Sequence, residues 1–260
     1  MTSLFVTGTD TDVGKTCVTA GIVSYLSKMN INVGVMKPFA SGYKATGDSI
    51  SDDVKILMKY SGVNDPVDLV NPYFFEIPTS PYDACKQLNL EIDISRVIDS
   101  YKQLTSIHDV VIVEGIGGIM TPISKNYFVS DLIADLQMNT IIVTGSKVGT
   151  VNHLMLTYQH AKEKKISLNG FVINQNVFDG YESSNLRNKL LIYLDRQSMV
   201  QFHIKNHSIL NHMLKIFLIL LMFQVLVLKI FSLPISFVLT KVCVSFRNLL
   251  KDSFFVVYVI

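Results

Sequence analysis

The chain of 260 residues has a formal net charge of only +2, from 23 Lys and Arg against 21 Asp and Glu. This length suits one large domain or two small ones and allows a well-buried core. A hydrophobic content of 49% excludes a disordered chain, and 14 glycines are too few for a collagen repeat. Because the charges nearly balance, the composition gives no reason to expect nucleic acid as a partner.

The average charge conceals two parts of different composition. Residues 198–260 contain one acidic and six basic side chains, whereas residues 1–197 contain 20 acidic and 17 basic ones. The last 63 residues also contain no Gly and no Ala, and 40 of them are apolar. We therefore predict a domain over residues 1–197 and an atypical apolar, basic tail over residues 198–260.

The most apolar part of the tail is residues 213–231, in which Lys215, Gln224 and Lys229 are the only polar residues. This segment is near the length needed to span a bilayer, but charges inside a membrane are costly. Three interpretations remain open: a membrane span, a buried core helix, and an out-of-frame or otherwise aberrant translation. The two lysines argue against a membrane span without excluding it, and the loss of acids, Gly and Ala favours the aberrant translation.

The cysteines and the N-terminus indicate the cellular setting. Cys17, Cys85 and Cys243 are odd in number and far apart, so they predict neither a disulfide framework nor a zinc site. The first apolar run, Leu4–Val6, is too short for a signal peptide, and no basic region precedes it. We therefore expect a reducing, cytoplasmic environment.

The first predicted elements form a strand–helix–strand unit. Leu4–Thr7 is a short run typical of a β-strand. Val18, Ile22 and Leu26 follow at a spacing of four, which places them on one face of a helix. Residues 32–36 are typical of a second strand. Such a unit predicts that its two strands are parallel.

Three more apolar strands are predicted further along, at Val110–Val113, Thr140–Val143 and Gly170–Ile173. Helices are predicted at Asn152–Lys165 and Ser184–Leu194. Together the elements predict an α/β fold with an open, doubly wound, mostly parallel sheet. Such a sheet calls for a sixth strand near residue 200, but no glycine or turn residue frames one there, and none is assigned.

A phosphate-binding loop is predicted between the first strand and the first helix. Residues 8–16 read Gly-Thr-Asp-Thr-Asp-Val-Gly-Lys-Thr, with five residues rather than four between Gly8 and Gly14. Glycines let the backbone N–H groups turn inward, and the helix N-terminus adds positive potential. Lys15 can then reach the terminal phosphates of a nucleotide, and the Thr16 hydroxyl can ligate magnesium. The alternative is an ordinary turn that happens to precede Lys-Thr.

Two further strand ends carry charged residues. Glu114 ends the predicted strand at 110–113 and precedes the glycine-rich residues 115–118. Ligands bind at the carboxyl ends of strands in such a sheet, so Glu114 is predicted to face the loop and to ligate Mg²⁺ directly or through water. Its alternative is a capping carboxylate. Lys37 ends the second strand and suits a carboxylate, a carbamate or a phosphate, unless it is simply solvated.

These motifs and several short segments occur together in one order. The segments are residues 8–16, 37–42, 71–73, 78–81, 113–118 and 149–153. In this order they closely resemble the dethiobiotin synthetase family, and the resemblance runs from residue 1 to about residue 176. The nine-residue loop together with the Lys-Pro-x-x-Ser-Gly segment is quite specific to that family.

The resemblance implies an ATP- and Mg²⁺-dependent cyclo-ligase of biotin biosynthesis that acts as a homodimer. Its substrates would be 7,8-diaminopelargonate, carbon dioxide and ATP. One amine would form a carbamate, ATP would phosphorylate it, and the second amine would close the ureido ring with loss of phosphate. Such chemistry needs charge neutralisation and alignment rather than a covalent protein nucleophile.

The resemblance also implies roles for individual residues. Lys15 and Lys37 would be catalytic. Mg²⁺ would be held by Thr16, Asp53 and Glu114, with Asp52 as the alternative to Asp53. The substrate would be bound by Thr11, Ser41, Pro78, Ser80, Gly118 and Asn152, and the turn before Asn152 could come from the partner subunit. ATP would be bound by Asp12, Val13, Gly14, Lys15, Thr16, Cys17, Asp53, Glu114, Gly115, Ile116, Gly117, Asn174 and Gln175. The family's strand and proline-containing loop over the adenine are not recognised after Leu194.

The sequence leaves three alternative functions open. An ATP-dependent amidoligase of the P-loop NTPase superfamily, to which the loop at residues 8–16 and the sheet also point, would need an ammonia source, and no glutaminase domain is recognised. A partitioning-type ATPase has a second lysine five residues before the lysine of the loop, where this chain has Asp10. The third alternative is an inactive or membrane-tethered relative in which the tail dominates.

Overall fold

The structure, a computed structural model, describes residues 3–42, 50–175, 180–181, 185–186, 190 and 201–205. The described strands are β1 (Leu4–Gly8), β2 (Val33–Met36), β3 (Phe39–Ser41), β4 (Tyr73–Phe75), β5 (Val110–Glu114), β6 (Pro122–Ser124), β7 (Tyr127–Phe128), β8 (Asn139–Thr144), β9 (Leu168–Gln175) and β10 (Gln201–Lys205). The described helices are α1 (Lys15–Lys28), α2 (Asp52–Ser61), α3 (Val67–Val70), α4 (Pro81–Leu88), α5 (Ile94–Ile107), α6 (Val129–Asp135) and α7 (Thr150–Glu163).

Six strands form one sheet in the order β10-β9-β8-β1-β5-β2, and every neighbouring pair is parallel. β1 lies between β5 and β8, with Val6 opposite Glu114 and Gly8 opposite Val143. The chain therefore leaves β1, β5 and β8 at the same edge of the sheet. The prediction of a doubly wound, mostly parallel sheet is confirmed. β3 and β4 form a separate two-stranded sheet, as do β6 and β7.

The central strands are apolar throughout because both faces of the sheet are covered. Successive side chains of a strand point to opposite faces. Val6 of β1 accordingly packs with Val18, Ile22 and Leu26 of α1, whereas its neighbour Phe5 packs in a second cluster. That second cluster contains residues of α5 and α6 on the other face. The stripe predicted for the first helix is confirmed as the buried face of α1.

The strand and helix predictions hold for most of the described chain. The five predicted strands correspond to β1, β2, β5, β8 and β9, and the helix predicted at 152–165 corresponds to α7. Of the helix predicted at 184–194, residues 185, 186 and 190 are described; they are helical, and Leu186 and Leu190 are buried. The rest of that helix lies outside the described residues.

A sixth strand, for which the sequence carries no turn signals, is present as β10. It pairs with β9 in parallel, from Gln201 opposite Phe171 to Lys205 opposite Gln175. The sequence prediction missed it because no turn residues frame it, and its position depends on pairing with the edge of β9. The domain boundary after residue 197 stays a prediction, although the sheet continues beyond it.

The apolar segment at 213–231 lies outside the described residues. Within the ranges that are described, no helix has the length and apolar character needed to cross a membrane.

Candidate active site

A cleft of about 770 Å³ opens at the carboxyl edge of the central sheet. It lies where the chain leaves β1, β2 and β5, which is the ligand-binding edge of such sheets. Its lining includes Thr11, Asp12, Gly14, Lys15, Thr16, Lys37, Ser41, Ser51, Asp52, Asp53, Phe74, Pro78, Thr79, Ser80, Glu114, Ile116, Gly117, Thr121 and Pro122. Most of the residues predicted from the sequence to form the site are therefore brought together in one cavity.

The loop between β1 and α1 has the backbone conformation that an anion site needs. Asp12 and Gly14 adopt left-handed conformations, with φ of 57° and 94°. α1 begins at Lys15, and no described side chain caps its first turn. The first N–H groups of a helix have no partners within the helix, so an uncapped N-terminus can bind an anion such as a phosphate.

Lys15 is folded back on its own loop. Its Nζ donates a hydrogen bond of 2.8 Å to the carbonyl of Asp10, and the residue is 7% exposed. Burial is the main reason why the pKa of Lys15 is lowered to about 8, and the charge of Lys37 lowers it further. Glu114 and Asp53 partly oppose this effect. Lys15 is still mainly protonated at pH 7, but it loses its proton at a lower pH than an exposed lysine does.

Lys37 lies between two carboxylates at the floor of the cleft. Its Nζ donates to Asp53 Oδ2 at 2.7 Å and to Glu114 Oε1. Burial by itself would lower the pKa of Lys37, but the charges of Glu114 and Asp53 outweigh it, so the pKa is raised. Burial by itself would raise the pKa of Asp53, but the charge of Lys37 and its hydrogen bond outweigh burial, so the pKa of Asp53 is lowered. Lys37 and Asp53 are therefore both charged at neutral pH.

Thr16 joins the same two carboxylates. Its hydroxyl lies 3.0 Å from Asp53 Oδ1 and 2.8 Å from Glu114 Oε1, although one hydroxyl has only one proton to donate. Glu114 Oε2 is buried and has no hydrogen-bond partner in the described part of the chain. Oxygen atoms of Thr16, Asp53 and Glu114 thus converge at one point. Oxygen atoms of this kind are the ligands that Mg²⁺ prefers.

The number of protein donors also suits Mg²⁺. No group of three or more His, Cys, Asp or Glu side chains with metal-site geometry occurs among the described residues. Mg²⁺ in nucleotide sites is usually held by one or two carboxylates, with phosphate and water oxygens completing the shell. Two carboxylates and a hydroxyl beside a phosphate loop fit that pattern.

Asp53, and not Asp52, faces this cluster. Asp53 is the second residue of α2, and it contacts both Thr16 and Lys37. The Asp52 side chain is 63% exposed, and its Oδ1 lies 3.7 Å from Lys55 Nζ. Sequence spacing could not distinguish these two adjacent residues. They point in different directions from the start of α2, and only the orientation of the helix shows which one faces the cluster.

The other residues predicted to bind the nucleotide lie on or near the loop, and four of them are placed as follows. Val13 is buried, and its carbonyl accepts a hydrogen bond of 3.0 Å from the Asn174 amide. Gly115 lies against the ring of Phe5. Cys17 is exposed on α1. Gln175 ends β9, and its side chain is not among those described.

The predicted substrate residues divide into two groups. Thr11, Ser41, Pro78 and Ser80 line the cleft. Gly118 packs instead against the backbone of Thr9, because a β-carbon there would lie 3.4 Å from the Thr9 carbonyl oxygen. Asn152 is exposed on α7 and does not line the cleft of its own chain.

Two residues near the cleft received no role from the sequence. Asn71 Nδ2 donates to the carbonyl of Lys37 at 2.6 Å and to that of Tyr73 at 3.0 Å, so it holds the backbone that carries Lys37. Thr121 accepts a hydrogen bond of 2.9 Å from the Gly118 N–H. Asn71 lies in one of the motif segments, which was a usable signal, but no sequence signal identified Thr121.

Comparison with known proteins assigns the chain to a family. A family model described as an AAA domain matches residues 2–219. The ATP-dependent dethiobiotin synthetase BioD of Nitrosopumilus maritimus is 50% identical over 190 residues, which cover 73% of this chain and 83% of that one. The chain belongs to the dethiobiotin synthetase family. The family resemblance seen in the sequence motifs is thereby confirmed.

Further relatives agree with this assignment. The ATP-dependent dethiobiotin synthetase BioD of Bacillus licheniformis is 39% identical over 174 residues, covering 67% of this chain and 73% of that one. Membership of the dethiobiotin synthetase family makes the chain an ATP-dependent ligase of biotin biosynthesis.

The fold is shared more widely than the family. A plasmid partition protein from Borrelia burgdorferi superposes with a TM-score of 0.52 at 13% identity, covering 86% of this chain and 99% of that one. At this identity the likeness shows the fold alone. The partitioning-type alternative gains nothing from it, since Asp10 stands where that group has its extra lysine.

Proposed function

We propose that this enzyme closes the ureido ring of dethiobiotin from 7,8-diaminopelargonate, carbon dioxide and ATP. One amine of the diamine adds to carbon dioxide and forms a carbamate. The carbamate oxygen takes the terminal phosphoryl group of ATP and releases ADP. The second amine then attacks the carbamoyl carbon, and phosphate leaves as the ring closes.

The observation that carries this proposal is the position of Lys37 between Asp53 and Glu114, beside the phosphate loop. An ammonium has three N–H donors, and these carboxylates use two of them. The third can bind an anionic oxygen such as that of a carbamate. Phosphorylating an anion requires positive charge where negative charge accumulates, and Lys37 and Lys15 are buried cations lining the same cleft.

We propose that Thr16, Asp53 and Glu114 hold Mg²⁺, because their oxygens converge and Glu114 Oε2 has no partner among the described residues. When bound there, Mg²⁺ would neutralise charge on the phosphates and help to align them. Residues of the chain bind and orient the substrates. The loop N–H groups and Lys15 hold the phosphates, and Lys37 orients the carbamate.

The proposed diamine site combines the cleft wall with a second subunit. Thr11, Ser41, Pro78 and Ser80 supply hydroxyl groups and apolar surface within the cleft. Asn152 lies at the exposed start of α7, whose first turn has no side-chain cap and suits a carboxylate. Because Asn152 does not line its own cleft, we propose that it meets the substrate of the partner in a homodimer. A cytoplasmic location is part of the same proposal.

Lys37→Ala tests the proposal directly. The full-length enzyme should release ADP only when diamine and bicarbonate are both present, and Lys37→Ala should abolish ring closure while binding of a non-hydrolysable ATP analogue is retained. Lys59→Ala, at an exposed position of α2, is the matched control and should keep full activity. Full ring closure by Lys37→Ala would show that Lys37 does not bind the carbamate. ADP release without the diamine would contradict the proposed reaction.

A further inference from the structure

Three threonine hydroxyls connect the phosphate loop to the start of α7. Thr9 Oγ1 lies 3.0 Å from Thr144 Oγ1, and Thr144 Oγ1 lies 2.6 Å from Thr150 Oγ1. Thr150 Oγ1 in turn donates to the carbonyl of Gly145 at 2.8 Å. Thr144 is fully buried, and Thr150 is 3% exposed. None of these threonines has a role in the function proposed above.

The number of protons available decides which hydroxyl donates in each of these hydrogen bonds. Each hydroxyl has one proton to donate. Thr150 gives its proton to the Gly145 carbonyl, so Thr144 must donate to Thr150, and Thr9 must donate to Thr144. Hydrogen bonds in series inside a protein polarise and strengthen one another. The Thr9 hydroxyl therefore donates to a hydroxyl that is itself held by a second hydrogen bond.

Thr9 is also held through its backbone, at the point where the loop leaves the sheet. Its N–H donates to the carbonyl of Val143 at 2.9 Å, and the turn at Gly118 packs against its carbonyl. The next residue is Asp10, whose carbonyl accepts the hydrogen bond from Lys15. Any movement of Thr9 therefore displaces the group against which Lys15 is positioned.

We propose that Thr144 is a positioning residue for the phosphate loop, acting through the Thr9 hydroxyl on the Asp10 carbonyl and Lys15. Without the Thr144 hydroxyl, Thr9 loses its side-chain anchor and the loop loses its fixed entry into the site. The inference goes beyond the proposed function because it concerns the nucleotide alone. It does not depend on the carbamate chemistry or on the diamine.

The first test compares three variants of the full-length chain. Thr144→Val keeps the shape but removes the hydroxyl, and it should weaken the binding of a non-hydrolysable Mg²⁺–ATP analogue roughly tenfold, the scale of one hydrogen bond. Thr144→Ser restores the hydroxyl and should bind within about twofold of the parent. Thr140→Val is the control, because Thr140 is buried on the same strand but donates to the Met138 carbonyl at 3.3 Å. It should leave the affinity unchanged.

A double-mutant cycle separates positioning from general destabilisation. Thr9→Val breaks the same bond from the exposed side, so the double variant Thr9→Val/Thr144→Val should bind the analogue no more weakly than either single variant. In Thr9→Val the KM for ATP should rise while the KM for the diamine stays constant, because this variant leaves the Thr144–Thr150 hydrogen bond at the start of α7 in place. Thr9 is only partly buried, so Thr9→Val carries the test even when Thr144→Val does not fold.

The inference is wrong when Thr144→Val binds the analogue within twofold of the parent, or when the two single effects add in the double variant. Equal weakening by Thr140→Val would also overturn it, because the effect would then come from the strand and not from the hydroxyl. Normal analogue binding together with absent ring closure in the parent would contradict the proposed reaction and leave this inference standing.

Discussion

The amide of Asn174, near the end of β9, donates a hydrogen bond of 3.0 Å to the carbonyl of Val13 in the phosphate loop. The contact is so close to the loop that a β-carbon on Gly14 would lie 2.0 Å from the Asn174 amide nitrogen. The end of β9 therefore helps to shape the loop after β1. Recognition of the adenine edge by Asn174 stays a prediction.

Gly14→Ala should weaken Mg²⁺–ATP binding by roughly a hundredfold, because the methyl group meets Asn174 and the left-handed backbone is strained with a side chain. Gly62→Ala is the matched control, since Gly62 also has a positive φ, of 75°, but nothing lies within 4 Å of the added carbon. The control should lower the free energy of unfolding by about 1 kcal/mol and leave nucleotide affinity intact. Calorimetric titration and chemical unfolding measure both quantities. Equal affinities for the two variants would show that Asn174 does not restrict the loop.

Glu114→Gln should reduce kcat roughly a hundredfold and raise the Mg²⁺ concentration required for activity, because it keeps the shape but removes a charge from the proposed metal site. Steady-state rates measured over a range of Mg²⁺ concentrations test this expectation. Glu91→Gln makes the same chemical change at an exposed position and should have no effect. If turnover and Mg²⁺ dependence are unchanged in Glu114→Gln, Glu114 is a capping carboxylate and not a metal ligand.

Nucleotide affinity should fall as the pH rises above about 8, since the pKa of Lys15 in the free protein is lowered to about 8. Bound phosphate favours the charged lysine and raises this pKa, so a proton must be taken up on binding whenever the free protein has lost it. Calorimetric titrations at pH 8.5 in buffers of different ionisation enthalpy should show proton uptake. The same titrations at pH 7 should show much less, because Lys15 is already protonated. Lys15→Arg should remove the difference between the two pH values, since an arginine stays charged throughout.

A chain that ends at residue 197 should be less stable and less soluble than one that ends at residue 219. The shorter chain lacks β10 and leaves the edge of β9 with unpaired N–H and C=O groups, which invite aggregation. The longer chain covers the whole range matched by the family model. Soluble fraction and unfolding midpoint are the measurements. Equal values for both chains would show that β10 is dispensable.

The sequence by itself determined the parts of the protein whose signals are local. Continuous apolar runs predicted the buried strands, and the four-residue spacing of Val18, Ile22 and Leu26 predicted the buried face of α1. The loop at residues 8–16 was recognisable because strand, glycines and Lys-Thr are adjacent in the chain. Glu114 was placed at the ligand edge because it ends a strand. Each of these signals is contained in about ten residues.

Only the tertiary structure decided what depends on distant partners. β10 has no turn signals and is defined by the edge of β9, and the choice between Asp52 and Asp53 depends on which way α2 faces. Thr9 meets Thr144 across 135 residues, and Asn174 meets Val13 across 161. Such contacts are set by the order of strands in the sheet, because strands far apart in the chain become neighbours only when the sheet is assembled. A local pattern carries no information about them.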